Sequence, residues 1–291
     1  MLGGEAGVGK SALLRVVLES FDGEAPVFVV GRCPGPEETP PFGPWLEVVH
    51  RLRQQLGWET ESLPCPFGRA PTQSAYELAG VLAHWFGHRG QPLVVVLEDL
   101  HWADTASLDV LRHMAPHLPY RPVRVIGTYR TDELSREHSL WQLLPELQRA
   151  GAERIILERL TRAEVRELAA RLAAREDFRR LEEHERCSDL ECVADWVYDR
   201  TAGLTLFVRE LLHLLMRTGE MPNPGDPLPQ SLQQVIDSKL NRLPPGTREV
   251  LEPAAVVGER FSFDLLARVV ELPADALSAA LEAAVSRRVI R

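Results

Sequence analysis

The segment that most constrains the fold of this chain is a glycine-rich octapeptide near its start, Gly4-Glu5-Ala6-Gly7-Val8-Gly9-Lys10-Ser11. It fits the pattern G-x-x-x-x-G-K-[ST], in which glycines let successive backbone N–H groups point inward around phosphate oxygens. In such a loop the lysine, Lys10, reaches the β- and γ-phosphates, and the Ser11 hydroxyl binds Mg²⁺. Only two of the 33 basic residues are lysines, Lys10 and Lys239. One of the two therefore stands where this loop requires it, and we predict a phosphate-binding site at residues 4–11.

Short apolar strands alternate with amphipathic helices over the following 150 or so residues. Length and β-branched residues predict strands at residues 25–30, 93–97, 123–128 and 154–157. Helical patterns lie between them, at residues 12–19, 45–56, 74–86, 105–117 and 137–149. Continuous apolar strands joined by helices are typical of a parallel sheet covered on both faces. The expected fold class is therefore α/β.

Two acids, Glu98 and Asp99, directly follow the apolar strand Leu93–Leu97. Carboxylates at the carboxyl end of a strand lie beside the phosphate-binding loop in an open α/β sheet. One would bind Mg²⁺ through water and the other would polarise an attacking water. Acids after a strand also occur as a simple solvated turn, but the glycine-rich loop favours the functional interpretation. We expect Asp104 to cap the next helix rather than to bind a ligand.

Charge and hydropathy exclude several classes of protein. The net charge is −9, which argues against a protein that coats duplex DNA. Residues 231–291 carry eight acidic and eight basic side chains, so direct DNA binding by this segment has no electrostatic support. No apolar run approaches the ~20 residues of a membrane helix, and no signal peptide is visible. We expect a cytoplasmic protein without a membrane partner.

Several motifs together resemble one family. The stretch Val94–Asp104 is similar to the Walker B region of bacterial STAND-type signal-transduction ATPases, which are AAA-like relatives of the origin-recognition ATPases. Gly127-Thr128-Tyr129-Arg130 resembles their sensor 1, and Leu160–Val165 resembles the start of their helical lid, where Thr161 and Glu164 form a capping box. Residues 228–232 and 254–258 resemble the winged-helix segment that follows. Where the family usually has Gly-Asn-Pro, this chain has Gly203-Leu204-Thr205.

The resemblance implies a P-loop NTPase sheet that binds ATP and Mg²⁺, followed by an all-α lid. By family position, Glu98 is the metal residue and Asp99 polarises water, with both acids and Ser11 around the magnesium. Arg130 is expected to contact the nucleotide or its bound water. Thr128 is a weaker nucleotide-binding candidate, because a strand threonine usually has a structural role.

Composition and the family resemblance together predict four segments along the chain. We expect a P-loop core at residues 1–158, a helical lid at 159–218, a proline-rich linker at 219–229 and a partial winged-helix-like segment at 230–291. Only Met1, Leu2 and Gly3 precede Gly4, so we expect the first strand of the sheet to be largely missing. The chain is thus expected to be a piece of a longer protein.

The function that these features predict is an ATP-binding switch module that hydrolyses ATP slowly, within a bacterial signal-transduction or transcription regulator. Expected partners are ATP, the sensor and output domains of the parent protein, and a second copy through self-association. One alternative is a non-catalytic interaction fragment. Another is a module that regulates an adenylyl cyclase or kinase output domain.

Overall fold

A computed structural model gives the fold, and it separates the chain into two compact units, Met1–Glu158 and Arg159–Arg291. Up to residue 218 the structure describes residues 1–20, 26–35, 40–56, 74–87, 92–175 and 190–218. Beyond that it describes residues 230, 233, 236–237, 240–241, 243–244, 246–258, 261–270, 272–286 and 289–290. The predicted linker at 219–229 lies outside these residues.

The first unit is built on a five-stranded parallel sheet in the order β2-β3-β4-β1-β5. Its strands are β1 (Leu2–Gly4), β2 (Val27–Arg32), β3 (Leu93–Glu98), β4 (Val123–Arg130) and β5 (Ile155–Leu157). Because all pairs are parallel, the carboxyl ends of the strands meet at one edge of the sheet. This edge carries the glycine-rich loop and the acids after β3.

Five helices connect the strands within the described part of this unit. They are α1 (Lys10–Glu19), α2 (Gly43–Leu56), α3 (Ala75–Gly87), α4 (Thr105–Met114) and α5 (Ser139–Arg149). The helix predicted at 105–117 ends as an α-helix at Met114 and continues as a 3₁₀ segment, Ala115–Tyr120. Pro116 and Pro119 explain the change, because proline has no N–H for the α-helical hydrogen bond.

Side chains of the central strands alternate between two apolar cores, one on each face of the sheet. Val95 and Leu97 belong to a large core that includes residues of α2, α3, α4 and α5. Val94 and Val96 belong to a smaller core that contains Leu14 of α1. The predicted α/β fold, a parallel sheet with helices on both faces, is therefore confirmed.

The first strand is present over three residues, and the expectation that most of it is missing stays a prediction. Leu2–Gly4 form a strand that pairs on one side with Thr128–Arg130 of β4 and on the other with Ile155–Leu157 of β5. Three residues are too few for a hydrophobic pattern to reveal a strand, but they suffice for hydrogen bonds to both neighbours. The sheet is therefore continuous from β2 to β5 at its carboxyl edge.

The described part of the second unit is helical. Its helices are α6 (Arg162–Arg175), α7 (Leu190–Thr201), α8 (Thr205–Thr218), α9 (Thr247–Val257), α10 (Phe263–Val269) and α11 (Ala274–Ser286). The predicted capping box before α6 is present: Thr161 N–H donates to Glu164 Oε2 at 2.7 Å, and Glu164 N–H donates to Thr161 Oγ1 at 3.3 Å. Assignment of these helices to a lid and a winged-helix-like segment remains a prediction.

Apolar side chains pack the described helices of the second unit into separate clusters. One apolar cluster joins α6, α7 and α8 through residues such as Val165, Val197 and Leu212, and another joins α9, α10 and α11. Among the helices that the structure describes, none combines the length and the apolar character needed to cross a bilayer.

A pair of glycine substitutions tests the packing of β2 on α2. A Cβ at Gly31 would lie 2.2 Å from the carbonyl oxygen of Pro44 and 2.9 Å from Val48 Cγ2, whereas a Cβ at Gly80 meets nothing within 4 Å. We expect Gly31→Ala to lower the free energy of unfolding by about 1–3 kcal/mol, because strand and helix must move apart. Gly80→Ala, on an exposed position of α3, should raise it by about 0.5–1 kcal/mol. Chemical denaturation checks both, and equal effects of the two substitutions would contradict this packing.

Candidate nucleotide-binding site

The glycine-rich loop joins the end of β1 to the start of α1. Gly7 and Gly9 have φ values of 79° and 109°, which residues with side chains rarely adopt. Gly9 caps α1 without a side-chain hydrogen bond, and the first turn of α1 holds no acidic residue. The positive end of the helix dipole is therefore left for an anion. Ser11 is exposed in this first turn, where its hydroxyl is accessible to a metal ion.

Lys10 is folded over the loop. Its Nζ atom donates to the carbonyl oxygens of Gly4 and Glu5, each at 2.8 Å. Burial, and then the nearby Arg130, lower the pKa of the Lys10 ammonium, while the carboxylates of Asp132 and Asp99 act in the opposite direction. The ammonium is thus held by neutral carbonyls, which the charged oxygens of a phosphate can replace as stronger acceptors.

Glu98 ends β3 beside a basic residue that the sequence did not single out. Arg32 ends the neighbouring strand β2 in register with Glu98, and Arg32 Nε lies 2.8 Å from Glu98 Oε2. The hydrogen bond to Glu98 raises the pKa of Arg32. In the sequence, Arg32 is marked only as a basic residue shortly after the predicted strand at 25–30. Its pairing with Glu98 could not be predicted, because it depends on the register of two strands. The predicted metal residue therefore has a competing cationic partner.

Asp99 occupies a left-handed backbone conformation, with φ 58° and ψ 44°. Its backbone N–H donates to Thr128 Oγ1 at 3.0 Å, so the Thr128 hydroxyl supports the turn after β3. Burial raises the pKa of the Asp99 carboxyl, and Arg130 and Lys10 counteract part of this rise. A carboxylate that is partly desolvated in this way is a stronger base than an exposed one.

Arg130 lies between the carboxylate of Asp99 and a second acid, Glu133. Its Nε atom is 3.8 Å from Asp99 Oδ1, and its Nη1 atom donates to Glu133 Oε1 at 2.6 Å. The guanidinium lies over the ring of Trp102 at 4.8 Å, and Trp102 Nε1 donates to Glu133 Oε2 at 3.2 Å. Sequence reasoning missed Glu133, although its position three residues after Arg130 permits the contact.

Residues around the turn support this arrangement. The buried ring of His101 accepts a 3.4 Å hydrogen bond from the Arg130 backbone N–H through Nδ1. Asp104 caps α4, since its Oδ1 accepts from Ser107 N–H at 2.9 Å, and the predicted cap is confirmed. Of the remaining loop residues, Glu5 and Val8 are buried.

The structure thus gathers most of the predicted residues at one edge of the sheet. Arg130 is close enough to lower the pKa of both Lys10 and Asp99, and Ser11 follows Lys10 on α1. Within the described residues, no three His, Cys, Asp or Glu side chains converge into a metal-binding group. Mg²⁺ commonly binds through one or two carboxylates, waters and substrate phosphates, so the residues present fit magnesium delivered with a nucleotide.

Fold and loop together define a class of protein. A parallel sheet with a G-x-x-x-x-G-K-S loop between its first strand and helix, and acids at the end of β3, has the P-loop NTPase architecture. Residues 1–126 match the family described as the AAA ATPase domain. This part of the chain is therefore an AAA-type ATPase domain, a nucleotide-binding module.

Comparison with individual proteins extends the similarity. An uncharacterized protein of Rhizobium meliloti (strain 1021) is 30% identical in an alignment of 187 residues that covers 61% of this chain and 16% of that protein. The chain thus spans about one sixth of the length of this curated relative.

Two solved structures share the fold. The ORC2 protein of Aeropyrum pernix superposes with a TM-score of 0.56 at 13% identity, over 99% of this chain and 79% of that one. A Walker-type ATPase of Pyrococcus abyssi superposes with a TM-score of 0.52 at 16% identity, over 98% and 83% respectively. At these identities the likeness is one of fold.

Substitution of Lys10 tests the loop. We expect Lys10→Ala to weaken ATP binding at least tenfold, about 1.4 kcal/mol, because it removes the cation closest to the phosphate cradle. Arg15→Ala, an exposed position on the same helix, is the matched control and should leave the affinity unchanged. Isothermal titration with Mg·ATP measures both, and equal affinities of the two variants would contradict a phosphate site at this loop.

Proposed function

We propose that the chain is an ATP-binding switch module that hydrolyses ATP slowly, within a STAND-type bacterial signal-transduction or transcription regulator. The observation that carries this proposal is the meeting of Lys10, Asp99 and Arg130 at the carboxyl edge of an AAA-type sheet. One cation directed at phosphates, one partly desolvated carboxylate and one arginine are the groups that phosphoryl transfer to water requires.

Binding of nucleotide and metal is assigned to the loop and its helix. The backbone of residues 5–9 and the Lys10 ammonium would hold the phosphates, and Ser11 with Glu98 would hold Mg²⁺, with Asp99 beside them. When bound, the ion neutralises the charge that develops on the phosphate oxygens. One carboxylate oxygen of Glu98, Oε2, accepts from Arg32, so the ion would compete with this guanidinium for the side chain.

Hydrolysis is assigned to Asp99 and Arg130. The Asp99 carboxylate would orient a water and accept its proton, for which a raised pKa is favourable. The Arg130 guanidinium would stabilise negative charge on the phosphoryl oxygens, but it must divide its donors with Glu133. Arg130 would have to exchange its contact with Glu133 for one with the nucleotide before it could act. The need for this exchange is consistent with slow turnover.

The switch itself is assigned to the helices after the ATPase core. We propose that bound ATP couples the core to a helical lid that begins near α6, and that hydrolysis releases it. The match to only 16% of a longer protein supports a module inside a larger chain with sensor and output domains. Self-association through the ATPase core and a cytoplasmic location are part of the same proposal.

A second candidate function is favoured by one contact. The Arg32–Glu98 ion pair occupies the predicted metal residue, as expected of a domain that binds nucleotide without hydrolysing it or acts only as an interaction module. An adenylyl cyclase or kinase output domain remains an alternative for what such a module would regulate.

Substitution of the two acids separates these functions. We expect Asp99→Asn to keep Mg·ATP binding within about threefold and to lower the rate of phosphate release at least a hundredfold, because the general base is removed. Asp109→Asn, a surface acid of α4 paired with Arg112, is the control and should change neither. Binding titrations and phosphate release under saturating Mg·ATP measure the two properties.

Other results of these binding and phosphate-release measurements would distinguish the alternatives. If Glu98→Gln rather than Asp99→Asn shows binding without turnover, the roles of the two acids are exchanged. If the unmodified chain binds Mg·ATP but releases no phosphate above a Lys10→Ala background, the non-catalytic function is correct. Full turnover in Asp99→Asn would contradict the proposed base.

A further inference from the structure

The strand β5 forms one lateral edge of the sheet in the first unit. The strand order ends at β5, and among the described residues its only strand neighbour is β1. Ile155 and Ile156 point to opposite faces of the sheet, yet they are 53% and 42% exposed. Exposed charged side chains, Arg154 and Glu158, flank the strand at its two ends. Within the described part of the chain, this edge is therefore open to a further strand.

Backbone direction shows which groups of this edge face outward. Ile155 N–H donates to the Met1 carbonyl at 2.8 Å, so the backbone polar groups of Ile155 point toward β1. Direction alternates along a strand, so the N–H and C=O groups of Arg154, Ile156 and Glu158 point away from β1. The outward groups are thus spaced two residues apart and centred on Ile156.

The side chains along this edge are complementary to their own sequence read in reverse. In an antiparallel pair of two copies centred on Ile156, residues at equal distances before and after the centre stand opposite one another. Arg154 then stands opposite Glu158 of the second copy. Ile155 stands opposite Leu157, and the two Ile156 residues meet at the centre. The outward N–H and C=O groups also stand opposite one another in this register, as a hydrogen-bonded antiparallel pair requires.

Other registers of the same two strands do not have this property. Centred on Arg154 or Glu158, the antiparallel pair places like charges opposite each other. Centred on Ile155 or Leu157, it places a charged side chain opposite Ile156. A parallel pair in register would set each charge beside its own copy. Residues 154–158 therefore favour the antiparallel register centred on Ile156.

Contacts within the subunit hold Arg154 in place for such a pairing. Its Nε atom donates to the Tyr129 hydroxyl at 2.8 Å, and its guanidinium lies 5.9 Å from the ring centres of both Tyr129 and Trp141. Among the residues that the structure describes, no acid pairs with this guanidinium. Its terminal nitrogens can therefore donate to a carboxylate from a second copy, and less side-chain freedom is lost on binding.

We propose that two copies of this chain associate through β5, in an antiparallel pair centred on Ile156 that joins their sheets across a two-fold axis. The inference rests on the self-association included in the proposed function and names the interface for it. A two-fold interface uses the same patch on both subunits, so a segment complementary to its own reverse suits a second copy better than an unrelated strand. The pairing would add backbone hydrogen bonds at Arg154, Ile156 and Glu158 and an ion pair at either end.

Analytical ultracentrifugation of the full chain without nucleotide tests this interface. We expect a reversible dimer that is about half formed near 100 μM, since a short edge pairing is a small and transient kind of interface. Arg154→Glu and Glu158→Arg should each weaken the dimer at least about tenfold, because each places like charges opposite one another at both ends. Arg15→Glu, at an exposed position of α1, makes the same change in charge as Arg154→Glu and should leave the dimer as it is.

Combining the two charge reversals makes the result specific to this register. An equimolar mixture of Arg154→Glu chains and Glu158→Arg chains should regain dimers, because every end pair then joins opposite charges. The double variant should also dimerise by itself. Hydrogen exchange at the Ile156 amide should be about twofold slower at 300 μM than at 5 μM chain, whereas the Ile155 amide, already bonded to Met1, should change little.

Three results would overturn the proposal. They are a chain that stays monomeric at all these concentrations, a dimer that neither charge reversal weakens, and a mixture of the two variants that stays monomeric. The first would leave this edge to a strand of a different protein, and the second would place self-association at another surface. No measurement uses nucleotide, so these failures are distinct from a failure of the ATPase assignment.

Discussion

Pairing of the three-residue strand β1 between β4 and β5 is the constraint on which the candidate site depends. In this register Gly4, the last residue before the loop, stands opposite Arg130. The β3–β4 pairing places Leu97 opposite Gly127, one residue before the threonine whose hydroxyl supports Asp99. Two ladders of backbone hydrogen bonds thus set the spacing of the loop, the acids and the arginine. A one-residue slip of β1 would move Arg130 away from the end of the loop.

The three basic side chains at this edge of the sheet already have hydrogen-bond partners within the protein. Lys10 donates to loop carbonyls, Arg130 to Glu133, and Arg32 to Glu98. The Arg32–Glu98 pair is partly exposed, so it contributes about 1 kcal/mol or less to stability and can be exchanged at little cost in free energy. Such pairs position the side chains near their proposed ligands without fixing them there. The arrangement therefore suits a site that alternates between two sets of partners.

Local patterns account for what the sequence predicted. Strands at β2, β3 and β4, the helices between them, the glycine-rich loop and the Asp104 cap all follow from periodicity or from contacts within four residues. The pairing of β1 with both β4 and β5 could not be predicted, because three residues carry no period. Arg32 was missed because its contact with Glu98 joins residues 66 positions apart in sequence, whereas Glu133 contacts Arg130 only three residues away and could have been found from that spacing.

The choice between lysine and arginine in this site follows from geometry. All but two of the 33 basic residues are arginine, yet position 10 holds a lysine. A compact ammonium can sit between two carbonyl oxygens 2.8 Å away inside a tight loop, whereas a planar guanidinium would need more room. At position 130 the larger, planar guanidinium is suited to its surroundings, since it donates to Glu133, approaches Asp99 and lies over the ring of Trp102. A lysine there would keep the charge and lose the fork and the stacking surface, so the two cations are not interchangeable in either direction.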